Sequence, residues 1–177
     1  MNPKILPTPK GFTLIELLVV IVILSMIAGV SSSIFLSVIR SNNKANIINE
    51  IQQNGNIILQ TLEASLRNAR SVTIPTLVGT PSSTLTYLDK LNNTVSYRFN
   101  SGKIQKQVGA SWEDINNANQ VTGVEVRDFP SSYFKLLTTS PQSVEISLIL
   151  RQGVNAPGRV DYQAETAFKT VVSLRDY

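Results

Sequence analysis

From Leu17 to Ile39 the sequence holds no charged residue, and one acidic residue, Glu16, stands at the head of the run. At a helical rise of about 1.5 Å per residue the stretch reaches roughly 34 Å, enough to cross the hydrocarbon core of a bilayer. Lys4 and Lys10 precede it, with no acidic residue beside them. That bias predicts an N-terminus in the cytoplasm and the remainder of the chain outside.

A carboxylate within such a run costs on the order of a few kcal/mol at the bilayer centre, less near its edge, and favours a partner. A cut between Gly11 and Phe12 would create one. The new α-amino group, with an ordinary pKa near about 8, is positive at neutral pH and lies about one helical turn from Glu16. Between neighbouring chains stacked with an axial offset, Glu16 of one meets the amine of the next. On this reading assembly relieves an otherwise poorly paired carboxylate.

Lys10-Gly11-Phe12-Thr13-Leu14-Ile15-Glu16 and the apolar run behind it resemble the N-terminal signal of type IV pilins and type II secretion pseudopilins. The resemblance covers the first 40 or so residues. It implies cleavage after Gly11 by a prepilin peptidase of the inner membrane, N-methylation of Phe12, and a role for Glu16 in pairing with a neighbour's N-terminus. The implied partners are that peptidase/methyltransferase, other pilin or pseudopilin subunits, and membrane lipid before assembly.

Two plainer readings compete. A secretory signal peptide has an apolar region of roughly 7–15 residues and a small-residue cut site; Ala28 and the serines after it fit, but the run is too long and Glu16 sits badly in it. An uncut single-span anchor fits physically, yet has no need of Gly11, Phe12 or Glu16.

The net charge is +4 over 177 residues. Removing residues 1–11 takes away Lys4 and Lys10, so the mature chain is nearly balanced. Its charges are scattered, which gives no argument for nucleic acid. Cysteine and histidine are both absent. That excludes a disulfide framework and thiolate chemistry, removes the commonest metal ligands, and takes away the usual general base. No cofactor is expected.

Along the chain, Pro3, Pro7 and Pro9 keep the leader extended. Gly29 and Ser31-Ser32-Ser33 soften the apolar helix. In the pilins this chain resembles, this part can melt inside the filament; small residues equally allow close helix packing. Beyond Arg40, Ile48, Ile51, Gly55, Ile58, Leu62, Leu66 and Ala69 recur at spacings of three and four, the stripe of an amphipathic helix. One helix is therefore predicted from about Phe12 to Ala69, with Gly55 as either a close contact or a kink.

From Ser71 the pattern becomes strand-like. Thr94–Phe99, Asn100-Ser101-Gly102 and Lys103–Val108 read as a hairpin. Strands are also expected at 72–74, 84–88, around Trp112 and Ile115, and at 124–127, 133–136, 144–150 and 168–175. A loop with Gly153, Pro157 and Gly158 precedes the last strand. The fold class expected is α+β: a long N-terminal helix, its first half transmembrane, packed by its second half on an antiparallel sheet. The organisation is a leader (1–11), a membrane or filament-core half-helix (12–39), an amphipathic half-helix (40–70) and a β-rich domain (71–177). The order of elements, with Gly109–Trp112 and a Val-Ser-Leu-Arg ending, resembles J-type pseudopilins or W-type minor pilins.

Other candidate sites read as structural. Trp112 reads as a core or edge-packing residue. Glu113, Asp114, Asn116, Asn117 and Asn119 cluster oxygen ligands, and some pseudopilins bind calcium in a C-terminal loop, but the spacing matches no calcium loop and reads as a solvated turn. Tyr97 and Arg98 read as sheet faces rather than a platform for single strands. No nucleophile–base pair stands out. The function expected is a structural, non-enzymatic subunit, a minor one by that resemblance, of a pilus or pseudopilus. The alternatives are a DNA-uptake pilus subunit and an uncut anchored domain.

Overall fold

The computed structural model describes residues 11–116, 123–152 and 163–175. Residues 1–10 of the expected leader, Asn117 and Asn119, and the expected loop of Gly153, Pro157 and Gly158 lie outside them. Among the described residues, one helix, α1, spans Leu14–Arg67 and is followed by ten strands. The chain divides into one unit ending at Ser41 and a second spanning Asn42–Tyr177.

In the first unit every described residue is exposed. A helix that is apolar all round needs a nonpolar surrounding, such as a membrane or a protein interior, and this one is long and apolar enough to cross a membrane. It is unbroken through Gly29 and Ser31-Ser32-Ser33. The hydroxyls of Ser25, Ser32 and Ser33 donate to the carbonyls of Ile21, Ala28 and Val30, at 2.8, 2.9 and 2.8 Å. Those hydroxyls thus have partners within the helix itself.

In the second unit α1 buries Ile47, Ile51, Gly55, Ile58, Leu62 and Leu66. The expected stripe is present with two changes. Ile47, not Ile48, is its first buried residue, and Ala69 is buried as the first residue of a strand. The helix stops sooner than expected: its last turn tightens, with the Asn68 amide donating to the Ser65 carbonyl at 3.3 Å, and the Asn68 carboxamide donates to the Ala64 carbonyl at 3.0 Å.

The strands are β1 (Ala69–Ile74), β2 (Pro81–Ser82), β3 (Thr84–Asp89), β4 (Thr94–Asn100), β5 (Lys103–Val108), β6 (Ser111–Asp114), β7 (Val124–Val126), β8 (Tyr133–Thr139), β9 (Gln142–Gln152) and β10 (Glu165–Ser173). They form two antiparallel sheets rather than the single one expected. The first runs β1-β3-β4-β5-β6; the second runs β10-β9-β8-β2, with β7 also paired to β9. The β4–β5 hairpin closes through Ser101 and Gly102, at φ of 53° and 77°. Both left-handed residues fit a tight turn that matches strand twist.

One apolar cluster joins α1 to both sheets. Leu85, Tyr97 and Ile104 enter it from the first sheet; Phe134, Ile146, Leu148 and Leu150 enter from the second. Phe99 of β4 stacks on Phe134 of β8, with ring centroids 4.6 Å apart, which ties one sheet to the other. At another junction the Gln142 carboxamide pairs with β1. Its Oε1 accepts from the Val72 amide at 2.7 Å, and its Nε2 donates to the Val72 carbonyl at 3.4 Å. A side chain thereby occupies the hydrogen-bonding groups that a further strand would use.

Gly55 is a close contact, not a kink. A Cβ built there would stand 2.4 Å from Cζ of Phe168 on β10. Thr170 donates to Glu63 Oε1 at 2.6 Å one strand-repeat further on. These contacts fix α1 against the inner face of β10.

Candidate functional site

The residues singled out by the sequence lie together at the start of α1. Gly11, Phe12 and Thr13 are outside the helix, and Phe12 is 87% exposed. Around Gly11 no atom lies within reach of a built Cβ. The backbone between Gly11 and Phe12 is therefore open and non-helical, the form in which a protease engages a chain.

Thr13 is the N-cap. Its amide donates to Glu16 Oε2 at 2.9 Å, its hydroxyl donates to the same oxygen at 2.9 Å, and the Glu16 amide donates to Thr13 Oγ1 at 3.3 Å. The first helical bond, from Leu17 to the Thr13 carbonyl, follows at 3.2 Å. This is a reciprocal capping box, which satisfies two of the amides a helix start leaves orphaned. Thr-x-x-Glu ahead of an apolar run is the sequence signal for this box, and it adds Thr13 to the residues expected to matter. Glu16 is consequently not a bare carboxylate. One oxygen is engaged by its own chain, and its acidic charge also favours the positive end of the helix dipole. Phe12, Ile15, Val19 and Val20 lie around it, so a charged group stands within an apolar surface.

The remaining candidates are committed elsewhere. Trp112 is half-buried on the edge strand β6, with the Arg98 guanidinium 4.0 Å above its ring. Tyr97 is buried in the core and bonds Ser65 at 3.0 Å, on the face opposite Arg98. Asp114 bonds Lys103, and Gln105 at 2.7 Å; the lysine foremost, then the glutamine, hold its carboxyl below the ordinary carboxylate range. Asn116 is buried, with Oδ1 accepting from Ile104 at 2.8 Å and Nδ2 donating to the carbonyls of Val124 and Gly102, at 2.8 and 3.3 Å. Two of the supposed oxygen ligands thus act as a counter-ion and a backbone clamp.

On the outer face of the second sheet, Glu145 is 7% exposed and receives Lys135 at 3.1 Å, Lys169 at 3.0 Å and the Tyr133 hydroxyl at 3.0 Å. Arg151 pairs with Glu125 at 2.8 Å and Arg127 with Glu165 at 2.6 Å. The two arginine pairs balance, whereas Glu145 is shared by two lysines and leaves one positive charge on that face.

The family model described as the prokaryotic N-terminal methylation motif matches residues 8–32. Its span includes Gly11, Phe12, Thr13 and Glu16 and reaches the serines of the apolar helix. No curated protein and no solved structure matches the chain.

Proposed function

We propose, for a chain whose N-terminal segment marks it as a type IV pilin- or pseudopilin-type protein, that it works as a minor structural subunit of a pilus or a type II secretion pseudopilus. It is anchored in the membrane by its apolar helix before assembly. The cytoplasmic membrane receives it with the N-terminus inside. A prepilin peptidase cuts after Gly11 and methylates the amine of Phe12. The β-rich unit remains outside, and the helix enters the filament against those of other subunits. The chain is a substrate of enzymes and not itself an enzyme.

The observation that carries this reading is the junction at Thr13. An exposed, non-helical Gly11-Phe12 bond directly precedes a capped helix whose apolar surface is uncovered. Cleavage there leaves the helix start intact, because every group of the capping box lies on the product side. It also leaves a cationic amine beside Glu16. Oε2 of Glu16 bonds Thr13, and the carboxylate still has lone pairs for a neighbour's amine. The helix start and the intersubunit ion pair can therefore share one side chain.

Mass spectrometry of the protein purified from its native cells tests processing. An N-methylated Phe12 terminus is expected, and an intact Met1 terminus in every copy refutes the reading. For assembly, Glu16→Gln is the sharper variant than Glu16→Ala, since glutamine keeps an acceptor for Thr13 while losing the charge. Processing should survive in both, with recruitment to filaments falling in both. Normal recruitment of Glu16→Gln would remove the ion pair from the mechanism.

A further inference from the structure

Most sheet edges among the described residues are guarded. The outer edge of β1 is engaged by the Gln142 side chain. β2 has two residues and opens on Pro81, β7 has three, and β6 has four, including Glu113 and Asp114. Short, charged or proline-bearing edges resist pairing with other chains.

β10 departs from this pattern. It has nine residues, no proline, and a register with β9 that runs unbroken from Glu165↔Arg151 to Ser173↔Ser143. Which backbone groups point outward follows from its two ends. Gln152 donates to the Ala164 carbonyl at 3.2 Å, and Leu174 donates to the Gln142 carbonyl at 2.8 Å. Antiparallel pairs alternate between bonded and non-bonded, so the even-numbered residues exchange bonds with β9. Glu165, Ala167, Lys169, Val171 and Ser173 therefore turn both amide and carbonyl away from it. Among the described residues nothing pairs with these groups, and all of these side chains are exposed. The opposite face of the strand is pinned to α1 through Phe168 and Thr170. Lysine on an edge strand commonly obstructs pairing, but Lys169 is drawn back over the sheet to Glu145.

We propose that the outer edge of β10 is a docking strand that accepts an extended segment from a neighbouring, non-identical filament subunit by β-augmentation. The proposal rests on the filament reading above. Charge selects the kind of partner. The one antiparallel register that pairs all the outward residues of two identical copies sets Glu165 against Ser173, Ala167 against Val171, and Lys169 against Lys169. Glu145 is shared between Lys135 and Lys169, so each copy still brings a net positive charge to this point, and like charges directly opposite each other disfavour that pairing. A strand bearing an acidic residue opposite Lys169 turns the repulsion into attraction.

Proline tests the edge without disturbing the sheet, because an amide facing outward on an edge strand is not needed by its neighbour. Ala167→Pro and Val171→Pro, made in the full chain, should keep the wild-type melting curve in detergent and enter filaments at least about tenfold less. In wild type, the amides of the outward residues should exchange freely with deuterium in the detergent-solubilised chain and become protected in purified filaments. If the prolines unfold the chain, this exchange measurement decides alone. Normal incorporation of both variants, or no protection in filaments, overturns the proposal while leaving the filament reading in place. Absence of the wild-type chain from filaments refutes that reading itself. Protection already present in the solubilised chain overturns the proposal by showing the edge covered from within. A concentration-dependent dimer in detergent, abolished by Ala167→Pro, overturns the choice of a non-identical partner.

Discussion

Replacing Gly55 with alanine sets two effects of opposite sign against each other. In an exposed helix interior the change stabilises by about 1 kcal/mol, because alanine restricts the unfolded chain and suits the helix. At Gly55 the new Cβ would meet Cζ, Cε2 and Cε1 of Phe168 at 2.4, 2.6 and 2.7 Å. Carbon atoms settle at about 3.5–4.0 Å, so the ring or the helix must retreat by roughly 1 Å. Overpacking of this kind costs about 1–3 kcal/mol. The net expectation is a destabilisation between about 0 and 2 kcal/mol. In a Phe168→Ala background the obstruction is gone, and Gly55→Ala should stabilise by about 1 kcal/mol. The coupling energy of the double-mutant cycle is then about 1–3 kcal/mol. Urea unfolding of the full chain in detergent, followed by the fluorescence of Trp112, the single tryptophan, reads all four variants. Stabilisation by Gly55→Ala in both backgrounds, with coupling near zero, would show that the helix does not lie on β10 as described.

Two further outcomes follow from buried polar groups. Asn116→Ala leaves the Ile104 amide and the Val124 carbonyl without their partner, which should lower stability by about 2–4 kcal/mol; an unchanged urea midpoint would rule out the clamp. For Glu145, burial pushes the pKa up, but hydrogen bonds from Lys169, Lys135 and Tyr133 outweigh it and hold the carboxyl below its ordinary 4.5. The native state thus binds fewer protons than the unfolded one. Its contribution is fully present above about pH 4.5 and is lost as the pH falls through the lower folded value. Glu145→Gln should reduce stability at pH 7 and flatten its decline in acid, whereas acid limbs that run parallel in the two proteins would contradict this linkage.

The N-terminal segment was readable because its information is local. A long uncharged run, one carboxylate at its head and glycine before phenylalanine are consecutive residues, and their physics depends on solvent and helix periodicity alone. Even the capping box could be read there, since Thr13 and Glu16 are one turn apart. The β4–β5 hairpin was legible for the same reason, through Ser101-Gly102. The stripe of α1 was legible with a small error: Ile47 and Ile48 are adjacent and equally apolar, so only contact with the sheets decides which one is buried.

What the sequence determined by itself is therefore the apolar helix, its acidic head, and an alternating region able to form antiparallel strands. Tertiary structure alone decided that the strands divide into two sheets, that Gln142 fills the edge of β1, and that Gly55 receives the ring of Phe168. It also decided which edge of β10 is left unpaired among the described residues. The physical reason is distance along the chain: Val72 meets Gln142 and Gly55 meets Phe168 across long separations. No local propensity encodes which distant side chain will arrive, so the choice is made only when the common core is packed.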